Sequence, residues 1–410
     1  YKVIQNNHSD SFDLIYHFEE DVFDPEEPAS INLASMVGAQ LALNYGLFCK
    51  EIVFHGPYDQ LDQKFIKEMM INTCREIYVK KFLEPNVFLQ GEAAKLPVVK
   101  RKSYLRAEII FPDGSRLSLT GKKNIESGSQ WVVNPSLHAI LSSGGKDSLL
   151  SFGLLREICG EALPIFVNES GRHWFTALNG YRYLKSRYPE TARVWTNSDR
   201  LFAWMLRHFP FIRQDFANLR SDEYPIRLWT VAVFLFGALP VLRKRVIGRL
   251  IIGDEFDTTI RASHQGIPHY NGLFDQSRYF DNALTRYYLH KNWNINQFSI
   301  IRPLSELLIE KTLTERYPEL QRNQVSCHAT HIEGERVRPC GRCEKCRRIV
   351  GMLMAIGADP SNCGYTAEHI EYCLKALSEK DLHQESAGAQ HLRFLLSQRG
   401  LILQSSTGLP

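Results

Sequence analysis

The sequence predicts a mixed α/β protein: a doubly wound parallel sheet with a four-cysteine, zinc-binding segment, preceded by a separate N-terminal α/β unit. Three observations predict it. From Leu137 onward, short apolar stretches alternate with segments of helical spacing, the rhythm of parallel strands joined by crossover helices. Each short stretch runs into a polar cluster, and sheets of this kind bind ligands at the carboxyl ends of their strands. Four of the nine cysteines crowd between Cys327 and Cys346, while Cys49, Cys74, Cys159, Cys363 and Cys373 are scattered.

The 410 residues suffice for two or three domains, and 44% hydrophobic with 23% charged residues is the balance of a folded, not a disordered, chain. The net charge of +4 is too mild to argue for nucleic acid. Its basic runs, "LRKRVIGR" and "RCEKCRR", read as solvated faces. "YKVIQNNHSD" is not a secretory signal, and Tyr1 in place of Met predicts a native start further upstream. The longest apolar run, "LWTVAVFLFGALPVL", falls short of the roughly 18 to 20 residues of a bilayer span and contains Pro240, so it predicts a buried helix. Without an export signal, clustered cysteines favour a metal site in a reducing compartment over disulfides, and the expected location is the cytoplasm.

Residues 1–135 predict the N-terminal unit. "SFDLIYHF" and "KEIVFHG" read as strands, and "SINLASMVGAQLALNYGLF" as a helix with Ser30 as its N-cap. "LRAEIIFPDGSRLSLTG" predicts a hairpin about Pro112-Asp113-Gly114. Residues 136–357 predict the catalytic sheet, with strands in "LHAILSS", "ALPIFVNES", "ARVWTNSD" and "GRLIIGDE", and helices in "KDSLLSFGLLREI" and "HWFTALNGYRYLKSRY". Residues 358–410 predict a helical end without a chemical signal.

"ILSSGGKDSLLSF", Ile140 to Phe152, is a strand that turns through two glycines into a helix. The first amides of that helix lack intrahelical partners, and glycine lets the backbone approach an anion. The hydroxyls of Ser143 and Ser148 can donate to phosphate oxygens and Lys146 adds charge, whereas Asp147 calls for a magnesium ion. The pattern is neither a Walker loop nor the dinucleotide fingerprint. A plain strand-to-helix bend is the competing reading. "SGGKDS", Ser143 to Ser148, resembles the signature of the PP-loop ATP pyrophosphatase superfamily, which cleaves ATP between its α and β phosphates. The resemblance implies that Ser143, Gly144, Gly145, Asp147 and Ser148 grip pyrophosphate, and that Asn168 and Ser170 of "FVNES" lie near the adenosine.

Cys327, Cys340, Cys343 and Cys346 stand as C-x12-C-x2-C-x2-C, with Gly341 to relieve a tight knuckle. Four thiolates suit structural zinc, and an iron–sulfur cluster remains open. His328 and His331 are reserve ligands. Together, the loop and the cysteines are similar to the 7-cyano-7-deazaguanine synthases, including "RPLSELL" and "VSCHA" on the way to the thiols. That family activates a carboxylate with ATP for capture by ammonia. The family's substrate-side Ser-Gly-Tyr-Pro-Asp-Cys-Arg run is absent, and "GIPHYNGLFDQSRYF" stands nearest to it. The N-terminal unit and the Pro-Leu-Ser-Glu stretch also resemble the UDP-N-acetylmuramoyl-L-alanyl-L-glutamate epimerases.

Asp254, Glu255 and Asp257 follow a strand and can take magnesium or a base edge, with capping as the plain alternative. Arg261 and Arg278 can clamp a carboxylate or phosphate, and His264 and His269 can move protons. Tyr270 and Phe274 can stack on a planar substrate or pack in the core. The residues expected to carry chemistry are therefore Lys146, Asp147, Asp254 and Arg261. The expected reaction adenylylates a carboxylate, using ATP, Mg2+ and Zn2+, for transfer to ammonia or another amine, which a partner protein can supply. A glutamate epimerase, a transfer-RNA thiolation enzyme and a nucleotide-binding interaction module are the alternatives. A homodimer is compatible with this reading, and neither membrane nor nucleic acid is expected as a partner.

Overall fold

The structure, a computed structural model, describes residues 1–113, 130–169, 171–219, 224–327, 329–379 and 386–402. Its centre is a six-stranded sheet of β1 (Tyr16–Phe18), β2 (Asn134–Leu141), β3 (Leu163–Glu169), β4 (Ala192–Thr196), β5 (Ile247–Ile251) and β6 (Asn296–Phe298). The spatial order is β6-β5-β2-β3-β4-β1. All neighbours are parallel except β1, which pairs antiparallel with the edge of β4. Alternation of strands with helices forces this geometry, because parallel neighbours need long crossovers. The crossovers include α3 (Lys146–Cys159), α4 (Arg172–Arg187), α5 (Ser198–Leu206), α6 (Val231–Lys244) and α7 (Arg278–His290).

After β2 the chain builds outward through β3 and β4, then returns to place β5 on the other side of β2. The strand order reverses between β2 and β5. Their carboxyl ends open into the crevice where doubly wound sheets receive ligands. "LWTVAVFLFGALPVL" becomes most of α6 and the three residues before it, with Leu235, Phe236 and Leu239 fully buried. Among the described residues no helix is long and apolar enough to cross a membrane.

The N-terminal unit does not stand apart as the sequence predicts. Helices α1 (Pro28–Ala39) and α2 (Gln60–Ile77) share one hydrophobic core with α6 and α7, and β1 extends the main sheet. Phe65 stacks on Tyr287 at 4.4 Å between ring centroids, which ties α2 to α7. Ser30 is not the N-cap of α1: the helix starts at Pro28 behind Glu27, because proline is accommodated in a first turn. Ser30 instead donates to Glu27 and accepts from Arg243. The strand Glu108–Ile110 pairs in parallel with Glu51–Val53, and the rest of the expected hairpin lies outside the described residues.

Beyond β6, α8 (Glu306–Arg316) and the short turn α9 (Pro318–Gln321) pack beside α3. Helix α10 (Glu344–Ile356) begins in the cysteine cluster and is covered by α11 (Ala367–Glu379) and α12 (Ser386–Gln398). Helix α8 therefore touches both the glycine-loop helix and the cysteine helix.

Candidate functional site

The loop Ser142–Ser148 crosses the carboxyl end of β2 at the reversal point. Gly144 has φ +72°, a conformation that favours glycine, and a Cβ there would lie 2.8 Å from the backbone of Ala177 on α4. Gly145 is the N-cap of α3, so the first amides of α3 point towards the crevice without intrahelical partners. Opposite, Gly253 follows β5, and a Cβ on it would meet Asp147 at 2.8 Å. The turn after β5 is thus pressed against the first turn of α3.

The serines divide the work. The Ser148 hydroxyl donates to the Gly145 carbonyl at 3.1 Å and sits 3.2 Å from the Ser142 hydroxyl, which accepts from the Gly144 amide. Ser142 and Ser148 therefore shape the loop from within, while Ser143 is exposed.

Lys146 is buried among carboxylates. Its ammonium lies 2.7 Å from Asp147, 3.4 Å from Glu255 and 3.4 Å from Glu306. Burial opposes its charge, but Asp147, Glu255 and Glu306 outweigh that and hold the lysine well above its ordinary range. Glu306 also faces Arg348 of α10 at 3.6 Å. Burial pushes Glu255 up to about 8 against the pull of Lys146. Behind them Glu310, fully buried, is raised by burial to about 7 while one of its oxygens accepts from Gln324 at 2.9 Å. Three acidic side chains thus meet two cations beside the glycine loop.

The other expected site residues are placed differently. Asp254 is buried and turned to Arg302 at 3.4 Å, with its carboxyl raised by burial well above the usual range. Arg302 also pairs with Asp281 at 2.6 Å and donates to Thr258 and the Gln276 carbonyl, so Asp254 faces the Arg302 network and not Lys146. Arg261 is on the hairpin Arg261–His264/Ile267–Tyr270, 4.1 Å over the Tyr279 ring, and Arg278 flanks the same ring. Neither joins the lysine cluster. Tyr270 and Phe274 are core residues, and the His269 ring faces the Tyr270 carbonyl. Asn168 accepts from Arg193 at 2.9 Å at the end of β3, and Ser170 lies outside the described residues.

The spacing of the sequence does not single out Glu306, Glu310 or Arg348. Ser305 accepts from the Leu308 amide as N-cap, and Glu306 and Glu310 follow four residues apart on one face of α8. That pairing is the signal that could have found them.

The four expected cysteine ligands do converge. The sulfurs of Cys327, Cys340, Cys343 and Cys346 all lie within 4.8 Å of one another. Three of the separations are 3.8, 3.9 and 3.5 Å. These are far from a disulfide bond and close to the about 3.8 Å that sulfurs adopt around one tetrahedral ion with bonds near 2.3 Å. The amides of Arg342 and Cys343 point at the Cys340 sulfur, and the amides of Ala329 and Cys340 at the Cys327 sulfur, as in a zinc knuckle. Gly341 at φ +66° closes the turn against His369. The donor set fits a single ion, so the cluster could hold zinc. His328 lies outside the described residues and His331 is exposed on a hairpin.

No family model matches this chain, and no curated protein matches it.

Proposed function

We propose that the chain is an ATP-consuming enzyme of the PP-loop pyrophosphatase type. The observation that carries this reading is the Ser-Gly-Gly-Lys-Asp-Ser loop at the reversal point of a parallel sheet, with the acid-lined Lys146 at its centre. In this reading the glycine amides and Ser143 hold the β and γ phosphates of ATP, and Asp147 and Glu255 receive the magnesium that accompanies them. Lys146 turns from its carboxylates towards the phosphates as negative charge builds on the departing pyrophosphate. A substrate carboxylate attacks the α-phosphorus, the bond to the bridging oxygen breaks, and an acyl adenylate forms. Ammonia or another amine then attacks the acyl carbon, AMP leaves, and the amine loses a proton. The four-cysteine centre, when it holds zinc, fixes the start of α10 and supplies no reactive position.

The test is a panel of carboxylic acids with ATP, Mg2+ and ammonium, read as AMP and pyrophosphate. An acid that stimulates both products, with the stimulation lost in Asp147→Ala, supports the reading. ADP as the product, or no product from a panel that includes deazapurine acids and glutamyl peptides, overturns it. Run in heavy water, the same assay separates amide formation from epimerisation, because only the latter carries deuterium into the recovered acid.

A further inference from the structure

A chain of charged groups runs from the cysteine cluster to the glycine loop. Cys346 lies in the first turn of α10, and Arg348 follows two residues later. Arg348 reaches Glu306 at 3.6 Å, and the same Glu306 oxygen lies 3.4 Å from Lys146. Glu306 is 7% exposed, Arg348 22% and Lys146 6%, so water screens this chain weakly. Helix α8 presents Glu306 between α3 and α10, with which it packs on either side. A second link runs beside it: Ser326, next to Cys327, places its hydroxyl 3.9 Å from where a Gly145 Cβ would lie, and the Cys346 sulfur faces the Ser326 carbonyl.

We infer that Glu306 and Arg348 are positioning residues through which the metal state of the four-cysteine centre sets the order of the Ser142–Ser148 loop. The argument is electrostatic. Lys146 alone cannot neutralise Asp147 and Glu306, and Arg348 takes up part of the charge on Glu306. An ion bound by Cys327, Cys340, Cys343 and Cys346 holds the first turn of α10, and hence Arg348, at that point. Without the ion four close thiols lose their common partner, the turn loosens, and Glu306 pulls Lys146 away from the loop. Coupling of this kind is reciprocal, so polyphosphate in the loop should also retain the metal. That consequence rests on the nucleotide reading above; the relay itself does not.

The experiment is hydrogen–deuterium exchange of the loop peptide, residues 142–150, in the full chain without nucleotide. Wild type is compared zinc-loaded and after chelation with Arg348→Met and Arg348→Lys, and the zinc content of each is measured. The expected result is loop exchange about fivefold faster in zinc-stripped wild type, and equally fast in Arg348→Met that still carries its zinc. Stripping Arg348→Met then adds little, and Arg348→Lys recovers part of the protection. Zinc-loaded Arg348→Met with wild-type exchange, or equal acceleration by stripping in both proteins, overturns the relay. Should the methionine variant not fold, the lysine variant decides by the same comparison. AMP formation with an unchanged loop in Arg348→Met sinks the relay and spares the nucleotide reading. Changed exchange in a protein that turns over no ATP does the reverse.

Discussion

Lys291 and Lys146 are both buried among carboxylates, and they differ in how closely their partners approach. Lys291, at the end of α7, meets Asp59 at 2.5 Å, Asp62 at 2.9 Å and the side-chain oxygen Oδ1 of Asn32 at 3.1 Å. Asp62 is completely buried and further accepts from Tyr287, from Asn32 and from the Asp59 amide that closes the capping box of α2. Each donor of that ammonium has an acceptor. Lys146 has one short partner, Asp147, and two carboxylates at 3.4 Å, beyond the 2.7–2.9 Å of a strong charge-assisted bond. The first cage joins helices of the N-terminal unit and the sheet layer. The second lies beside a glycine turn at the strand-order reversal, with charge in reserve. The same ingredients make a closely bonded strut around Lys291 and a looser cluster around Lys146.

The comparison breaks most readily at Lys146. Lys146→Met should lower acid-stimulated AMP formation by about a thousandfold, as removal of a charge stabiliser from a transition state does. Its melting temperature should fall less than that of Lys291→Met, since Asp147 and Glu255 keep part of their exposure and Glu306 keeps Arg348. A variant that melts far lower, or that keeps its activity, would make Lys146 another strut.

Lys291→Met should show the opposite pattern. Removing it strands Asp62, which is completely buried, at a cost of about 3 kcal/mol in chemical denaturation, while Asp59 keeps part of its exposure. Affinity for Mg·ATP in the folded fraction should not change. A loss of nucleotide affinity at unchanged stability would join the two cages into one system and end the contrast.

The contrast also explains what can be read from the sequence. The glycine loop and the cysteine ligands are local: six consecutive residues in one case, three cysteines within seven residues in the other, with Cys327 the only distant member. Backbone geometry makes such motifs readable. Position after a strand also points to Asp254 and residue chemistry to Arg261, yet Asp254 is turned into a salt-bridge network by Arg302, and Arg261 stacks on Tyr279. Their partners come from residues far along the chain, and no spacing rule reports such meetings. The strand Asn296–Phe298 is too short to stand out in the sequence, although Ser299 just beyond it accepts from the Asp254 amide. The N-terminal unit reads as separate because its elements are contiguous in sequence, whereas the three residues Tyr16–Phe18 suffice to make it an edge of the main sheet.

The smallest effect expected is on the pH dependence of stability, and it probes how the Lys146 cage is balanced. Glu310 lies behind that cage, and burial raises it to about 7 from an ordinary value of 4.5, with Asp147 and Glu306 adding to the rise and Gln324 and Lys146 opposing it. Because the folded protein holds this proton more tightly than the unfolded chain, its stabilisation is complete below about pH 4.5 and is lost as the pH rises through about 7. Glu255, raised by burial to about 8, adds a second loss of the same sign at slightly higher pH. Denaturation midpoints of wild type should therefore fall between about pH 5 and 8.5, by an amount on the order of 2 kcal/mol for Glu310. Glu310→Gln keeps the hydrogen bond with Gln324 and removes the titrating proton. It should match wild type near pH 5, exceed it near pH 8.5 and leave the slope due to Glu255. An unchanged slope would mean that water or a cation reaches Glu310 from the crevice, and the polar reserve around Lys146 would then extend one helical turn deeper than its ion pairs indicate.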